Sequence, residues 1–393
     1  MTLANAHALF CGLKSQPSYL ANLNIDENDR AGLIEARRKI RIALRAAAQG
    51  IAAKDEYWHS GYAARTSWRN RPAVEVKFMT QGSFAYGTIN APAQIPQQEI
   101  DLDDGMYVPV EFLMNGEPAL AARGLFLFVE TALAPLAAEN GWKLAEKPNC
   151  VRIKLWSGAH IDIPIYSIPR DRFSQIKEAF DSAHTSFSER RASLSNSWRL
   201  PSDKIVLAQR DGTWIQSDPQ QLHDWVLSRT DRYGPVYKRL SRFFKGWRDY
   251  TWEKCVLSSL CIMCAVDLAL QKLNGFPTEE RDDALVLEIA KRLPDILRGE
   301  VKNPVLTDLC INDWSEEDRS EIVRAAENLK VELESALERT GDAERVVQKL
   351  RSKFGERLPY RPEAIKMVSS IAAIQVAVPA VAAAPKVIPS TSG

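Results

Sequence analysis

The chain has 393 residues, 45% of them hydrophobic and 26% charged, the make-up of an ordinary globular protein. That excludes disordered, collagen-like, coiled-coil-only and disulfide-scaffold classes, and the length suits two domains whose cores need no staple. Lys+Arg 51 against Asp+Glu 50 leaves a net charge of +1, so no global field draws the chain onto long nucleic acid or an anionic membrane, although a local basic cleft stays compatible with it.

In chain order, Asp26 opens a helix with Asp29 in its first turn. Leu33, Ala36, Ile40, Ala43, Leu44 and Ala47 then recur at helical spacing. The other face carries Arg37, Arg38, Arg41 and Arg45. On residues alone that stripe is either a solvated face or one wall of a cleft for an anionic ligand. From Val74 the pattern turns to short strands, at 74–79, 100–110, 151–156 and 160–166, with a helix over 124–139 between them. After Ser217 the periodicity is helical through 222–227, 236–250, 257–273, 285–297 and 316–339, then 343–354, which predicts a helical second domain. From about Ser369 the chain becomes rich in Ala, Val and Pro, and is expected to be a flexible tail ending at Gly393. The predicted organisation is 1–215, 216–368 and 369–393.

The six cysteines are expected to be reduced. Cys261 and Cys264 form a C-x-x-C inside an apolar run, with no second pair to complete a zinc site, and are read as buried helical thiols. The N-terminus has no basic segment followed by an apolar one, so no signal peptide is expected. The apolar stretch near 371–385 is broken by Pro379 and Pro385 and is too short to span a bilayer. The expected location is the cytoplasm.

The informative segment is Gln81-Gly82-Ser83-Phe84-Ala85-Tyr86-Gly87-Thr88, followed by Glu99-Ile100-Asp101-Leu102-Asp103-Asp104. On a strand, period two puts Asp101 and Asp103 on one face. Two like charges there are unfavourable unless a cation joins them, and hard oxygen ligands suit Mg²⁺ with substrate phosphates. Asp162 alternates with Ile161 and Ile163 on a later strand. If that strand neighbours the first, three carboxylates converge, the ligand set of two-metal nucleotidyl transfer. Gly82 lets backbone amides approach a phosphate, and Ser83 adds a hydroxyl. His160, two residues before Asp162, is read as structural.

This conjunction resembles the polymerase-β-type nucleotidyltransferase superfamily. The segments QGSFAYGT, EIDLDDGMYVPV, RIKLWSGAHIDIPIYSIP, WIQSDP and RFFKGWRD are more closely similar to the bacterial cGAS/DncV-like nucleotidyltransferases (CD-NTases), in the DncV-like cyclic dinucleotide synthase subgroup. The resemblance covers roughly 81–308. Asp104-Gly105 after Asp103, and the long gap from Ser83 to Asp101, depart from the general superfamily motif and match this subgroup.

The resemblance implies an α+β fold: a polymerase-β-type core, a small mixed sheet with helices, plus a C-terminal helical domain. It implies Asp101, Asp103 and Asp162 as catalytic ligands of two Mg²⁺ ions. It implies a phosphate-binding loop of Gln81, Gly82, Ser83, Phe84, Ala85 and Tyr86, with nucleotide contacts from Arg152, Ser217, Lys245, Ser259 and Asp308. Left to their residue types, Arg152 is also compatible with a surface strand cation and Asp308 with a helix N-cap.

The implied reaction joins ATP and GTP into 3′,3′-cyclic GMP-AMP with release of pyrophosphate, a second messenger of anti-phage (CBASS-type) defence that acts on an effector. A cyclic trinucleotide or other purine pair, an RNA-tailing enzyme and a non-catalytic nucleotide-binding module are the alternatives. The net charge argues against RNA tailing, and the three aspartates against the module. Similar systems also imply an E1/E2-like partner that conjugates the chain through Gly393.

Overall fold

The computed structural model describes residues 2–12, 16–114, 116–170, 205–217, 219–273, 275 and 281–367. The expected tail, Gly393 included, lies outside the described residues.

Helix α1 (Glu27–Ala48) starts where the Asp26 side chain accepts from the Asn28 amide, with Glu27 and Asp29 in the first turn and Arg45 in the last. These charges complement the helix dipole. Leu33, Ala36, Ile40 and Leu44 form its buried stripe, as the periodicity predicts.

Strand β1 (Lys77–Gln81) leads directly into the one-turn helix α2 (Gly82–Tyr86). Then follow β2 (Ile100–Val110), α3 (Ala122–Asn140), β3 (Lys143–Glu146), β4 (Val151–Trp156), β5 (Ala159–Ile163), β6 (Ile165–Pro169), β7 (Val206–Ala208) and β8 (Trp214–Gln216). They form one eight-stranded mixed sheet in the order β3-β4-β5-β2-β6-β7-β8, with β1 also paired to β2. Strands β5 and β6 lie in one line beside β2, broken at Pro164: Ile100 pairs in parallel with Ala159, and Val110 with Pro169. Pro164 has no N–H to give, but its carbonyl still accepts from the Met106 amide at 2.9 Å.

Ile100 and Leu102 of β2, Val151 and Ile153 of β4, and Ile161 and Ile163 of β5 pack against α1 and α3. Strand alternation therefore sends Asp101, Asp103, Arg152 and Asp162 to the opposite face.

That face looks toward α4 (Pro219–Tyr233), α5 (Val236–Thr251), α6 (Ser259–Gln271), α7 (Asp282–Arg298), α8 (Glu316–Glu334) and α9 (Ala343–Phe354). Helix α6 starts later than its apolar run, because the Ser258 hydroxyl caps it by accepting from the Cys261 amide. Cys261 and Cys264 are buried in it, and burial pushes the Cys261 thiol up to about 12. Leu9, Phe10, Tyr19 and Leu23 join the core of these helices rather than that of the sheet. Ala4–Asn5 also pairs antiparallel with Lys366–Met367. The first part of the expected 1–215 unit thus packs in the helical half, because its apolar partners lie there. No helix among the described residues is long and apolar enough to cross a membrane.

Candidate active site

Register decides which side chains meet. Asp101 lies opposite His160, and Asp103 opposite Asp162 on one side and Gln81 on the other. On β4, Lys154 lies opposite His160, and Arg152 opposite Asp162. Two rungs therefore cross the open face of the sheet: Lys154–His160–Asp101 and Arg152–Asp162–Asp103. Arg152 donates to both oxygens of Asp162, at 2.7 and 2.6 Å, so it is the counter-ion of that carboxylate rather than a loose surface cation. His160 has Nδ1 2.7 Å from Glu99 Oε2, and Nε2 3.0 Å from Asp101 Oδ1 and 3.9 Å from Asp162 Oδ1.

The second rung is short of positive charge at its far end. Burial, then the charges of Asp101 and Asp162, push the Asp103 carboxyl up to about 8, against the smaller opposing effects of His160 and Arg152. For His160, burial lowers the pKa, but hydrogen bonding to Asp101 and the Asp101 and Asp162 charges together outweigh it and raise it.

These residues fit a divalent cation. Asp101 Oδ1 and His160 Nε2 are buried without an aligned hydrogen-bond partner. Ligand atoms of Asp101, His160 and Asp162 lie within 4.8 Å of one another. The sequence pointed to Asp101, Asp103 and Asp162; the compact group contains His160 as well as two of these, and Asp103 stands beside it, turned toward Gly82. Gly82 has φ +62°, and a Cβ there would overlap the Asp103 carboxylate, so both conformation and space require glycine.

Gln81 is buried. Its Nε2 donates to Tyr107 Oη at 2.8 Å and its Oε1 accepts from Tyr166 Oη at 3.2 Å, so it bridges the hydroxyls of two tyrosines whose rings stack on each other at 4.8 Å. A Cβ on Gly105 would overlap the Gln81 amide, which explains Gly105. Asp104 points to the other face, where Arg41 Nε donates to it at 2.7 Å and Thr80 Oγ1 at 3.0 Å. Arg37 in turn donates to Thr80 Oγ1 at 2.7 Å. Half of the arginine stripe is thus turned inward and is not a plain solvated face. In α2, Arg30 lies over the Phe84 ring, Ala85 packs on the helical core, and Tyr86 is buried beside His223 of α4.

Two hollows flank the aspartates. One, of 280 Å³, is lined by Ser83, Asp101, His160, Lys245, Arg248 and Ser259. Lys245 is buried there and donates to the Thr88 carbonyl at 2.8 Å; burial, then the Arg248 charge, push its pKa down to about 7. Ser259 Oγ accepts from Arg248 at 3.1 Å. The other hollow, of 340 Å³, is lined by Gln81, Gly82, Tyr86, Asp103, Asp162 and Ser217, with Cys150 and Asn303. Asp308 lines neither hollow; it is exposed on a turn, not at a helix N-cap. The structure therefore brings most of the expected site residues to the aspartates or the two hollows, but Phe84 and Ala85 turn into the two cores, Asp308 lies apart, and Gly393 is undescribed. It adds Glu99 and His160, and Cys150, whose thiol is pushed up by burial and by Asp162. A signal for His160 was present: it shares a period-two face with Asp162.

Comparisons with known proteins agree with this geometry. Residues 76–166 match the family model for the nucleotidyltransferase domain of cyclic GMP-AMP synthase DncV-like proteins, and 234–367 the C-terminal domain of cyclic GMP-AMP synthase. A cyclic GMP-AMP synthase of Escherichia coli (strain TW11681) is 34% identical over 318 residues, 76% of this chain and 71% of that protein. One from Vibrio cholerae is 36% identical over 246 residues, 59% of this chain and 55% of that protein. A structure of the Vibrio cholerae di-nucleotide cyclase DncV, a mutant in complex with ATP, GTP and 5MTHFGLU2, superposes with a TM-score of 0.78 at 27% identity, covering 94% of this chain and 100% of that one. Another, with the linear intermediate 5′ pppA(3′,5′)pG, gives 0.76 at 26% identity, covering 94% of this chain and 100% of that one.

Proposed function

This chain belongs to the cyclic GMP-AMP synthase DncV-like family of nucleotidyltransferases, and from that premise we propose that it joins ATP and GTP into 3′,3′-cyclic GMP-AMP, releasing pyrophosphate at each of two steps. The observation that carries this reading is the convergence of Asp101, Asp103 and Asp162 on one sheet face, with a hollow on each side of them. A single-site hydrolase needs one such hollow; joining two nucleotides needs two.

In this reading Asp101, Asp103 and Asp162 hold two Mg²⁺ ions, with His160 beside them. When bound, such ions acidify the attacking hydroxyl and neutralise the triphosphate. The chain's own groups do the rest. Ser83, Lys245 and Ser259 receive the triphosphate in the first hollow, and the buried Lys245 ammonium exchanges the Thr88 carbonyl for phosphate oxygens. Ser217 with Gln81, Gly82 and Tyr86 of the loop hold the acceptor nucleotide in the second hollow, and Asp308, on a turn outside it, contacts a base that extends beyond the lining. The acceptor 3′-hydroxyl oxygen bonds to the α-phosphorus, and the bond from that phosphorus to the bridging oxygen breaks. Arg152 keeps Asp162 oriented and shares its charge. The linear dinucleotide then turns end for end, and the same groups serve the closing bond.

The product serves as a second messenger of anti-phage defence that activates an effector, and an E1/E2-like partner conjugates the chain through Gly393. The test is incubation with all four nucleoside triphosphates and Mg²⁺, followed by mass spectrometry of the products. A cyclic GMP-AMP mass supports the proposal. A trinucleotide or another purine pair replaces the product while keeping the chemistry, and absence of any nucleotide product from folded protein overturns it.

A further inference from the structure

One carboxylate in each rung of the open face has a neighbour that fixes it, and the neighbour differs between the two. Asp162 is held from outside by Arg152 through two charge-assisted hydrogen bonds. Asp101 has no arginine. Its side chain is 43% exposed, and its neighbouring nitrogen at hydrogen-bond distance among the described residues is His160 Nε2, at 3.0 Å. The ring of His160 is itself held on its far edge, since Nδ1 lies 2.7 Å from Glu99 Oε2. Glu99 is held in turn by Lys154, which donates to its other oxygen at 3.2 Å. A chain of four groups thus runs from a surface lysine to Asp101, spanning three strands in register. The side chain of His160 is 5% exposed and that of Glu99 19%. The ring therefore has no room to swing, and Glu99 sets which way it faces.

We propose that Glu99 and His160 are positioning residues for Asp101, forming an outer support that sets the angle at which the Asp101 carboxylate meets a divalent cation. Outer-shell partners of this kind orient ligand carboxylates and tune metal affinity. The arrangement answers a physical problem. A carboxylate on a partly open strand has free χ1 and χ2, and each binding event must first freeze them. Asp162 is frozen by a bidentate arginine, which also lowers its charge. At Asp101 the work is split: the imidazole edge limits rotation, and Glu99 and Lys154 keep that edge in place without a guanidinium competing for the carboxylate oxygens.

This rests on the reading of Asp101 as a metal ligand, and the test separates the two. Mn²⁺ alone is titrated into the full-length protein without nucleotide, and free Mn²⁺ is followed by electron paramagnetic resonance. Asp101→Asn is the control for the site. Glu99→Gln is the mild probe, because that side chain is partly exposed and a glutamine fills the same space; His160→Asn is the stronger one, with melting temperature recorded to show folding. The expected result is an Mn²⁺ Kd about tenfold weaker in each probe variant. The double variant should be no weaker than His160→Asn, because both act through one ring. At saturating metal the KM for nucleotide should stay at the wild-type value. Wild-type Kd in both folded probe variants, with a weakened Asp101→Asn, overturns the support and leaves the metal site standing. Additive losses in the double variant overturn the relay. An unchanged Asp101→Asn removes the metal site and the support with it.

Discussion

Asp103 and Asp104 are adjacent in the chain and are solved in opposite ways. Asp104 faces the helix side of β2, and Arg41 and Thr80 supply its hydrogen bonds. Asp103 faces the helical half beside two more carboxylates, and its carboxyl is pushed up to about 8 by burial and by those charges. One residue further along a strand reverses the face, so one carboxylate belongs to the fold and the other to the site. A buried charge with its partner built in is structural. A buried carboxyl without one stays largely protonated at neutral pH, and ionises there only if a cation offsets its charge.

The largest expected effect breaks the comparison on its functional side. Asp101→Asn with Asp103→Asn should lower synthesis at least about a thousandfold, about 4 kcal/mol in barrier, while the protein stays folded. Product formation by mass spectrometry and a melting curve on the same sample check both halves. Breaking it on the structural side, Arg41→Ala should cost about 3 kcal/mol of stability, since it strands the Asp104 charge in the interior. A denaturant midpoint within error of the wild type would show that Asp104 is satisfied without Arg41.

Next in size is the cation on the opposite wall. Lys245→Ala should raise the nucleotide KM about tenfold by removing a charged donor from the triphosphate hollow. The pH dependence of wild-type binding should show the same group. With Lys245 pushed down to about 7 in the free chain, nucleotide binding must take up a proton above that pH. Affinity should therefore weaken as pH rises from 7 to 9, and Lys245→Ala should remove that slope.

A smaller effect concerns Asp103 itself. Its folded pKa of about 8 lies above the ordinary 3.8, so its contribution to stability is complete below 3.8 and is lost as pH rises through 8. The melting temperature of Mg²⁺-free wild type should fall relative to Asp103→Asn across that window, and Mg²⁺ should close the gap. The smallest effect is expected at the far end of the chain. Gly393→Glu should leave basal synthesis of the purified enzyme unchanged and block conjugation by an E1/E2-like partner, as seen by a mobility shift of the conjugate.

Much of the site was legible because its signals are local. Asp101 and Asp103 share a face by strand period alone, and Gly82 precedes a turn that only glycine enters. The helices announced themselves by apolar spacing, and Asp26 by its capping chemistry. What stayed hidden depends on pairing between distant segments. His160 stands opposite Asp101 only because β5 runs parallel to β2 in that register, which nothing within either segment fixes. Arg41 reaches Asp104 across two elements. Tyr19 and Phe10 look like any apolar residues near a chain start, and their place beside Phe243 and Phe354 is set by packing alone.

The short ladder between Ala4–Asn5 and Lys366–Met367 has a consequence for synthesis on the ribosome. The segments that hold the N-terminal residues are among the last described ones to emerge. The sheet can pair its strands as soon as β8 is made, but the opposing wall gains its inner packing only once α9 has been translated. Until then the aspartates face a wall whose inner packing is incomplete. The linings of both hollows are complete in the chain once Leu306 has been made, but the helices that carry them reach their full packing only when the first and last described strands meet, so a chain shortened before α9 holds the aspartates opposite an incompletely packed wall.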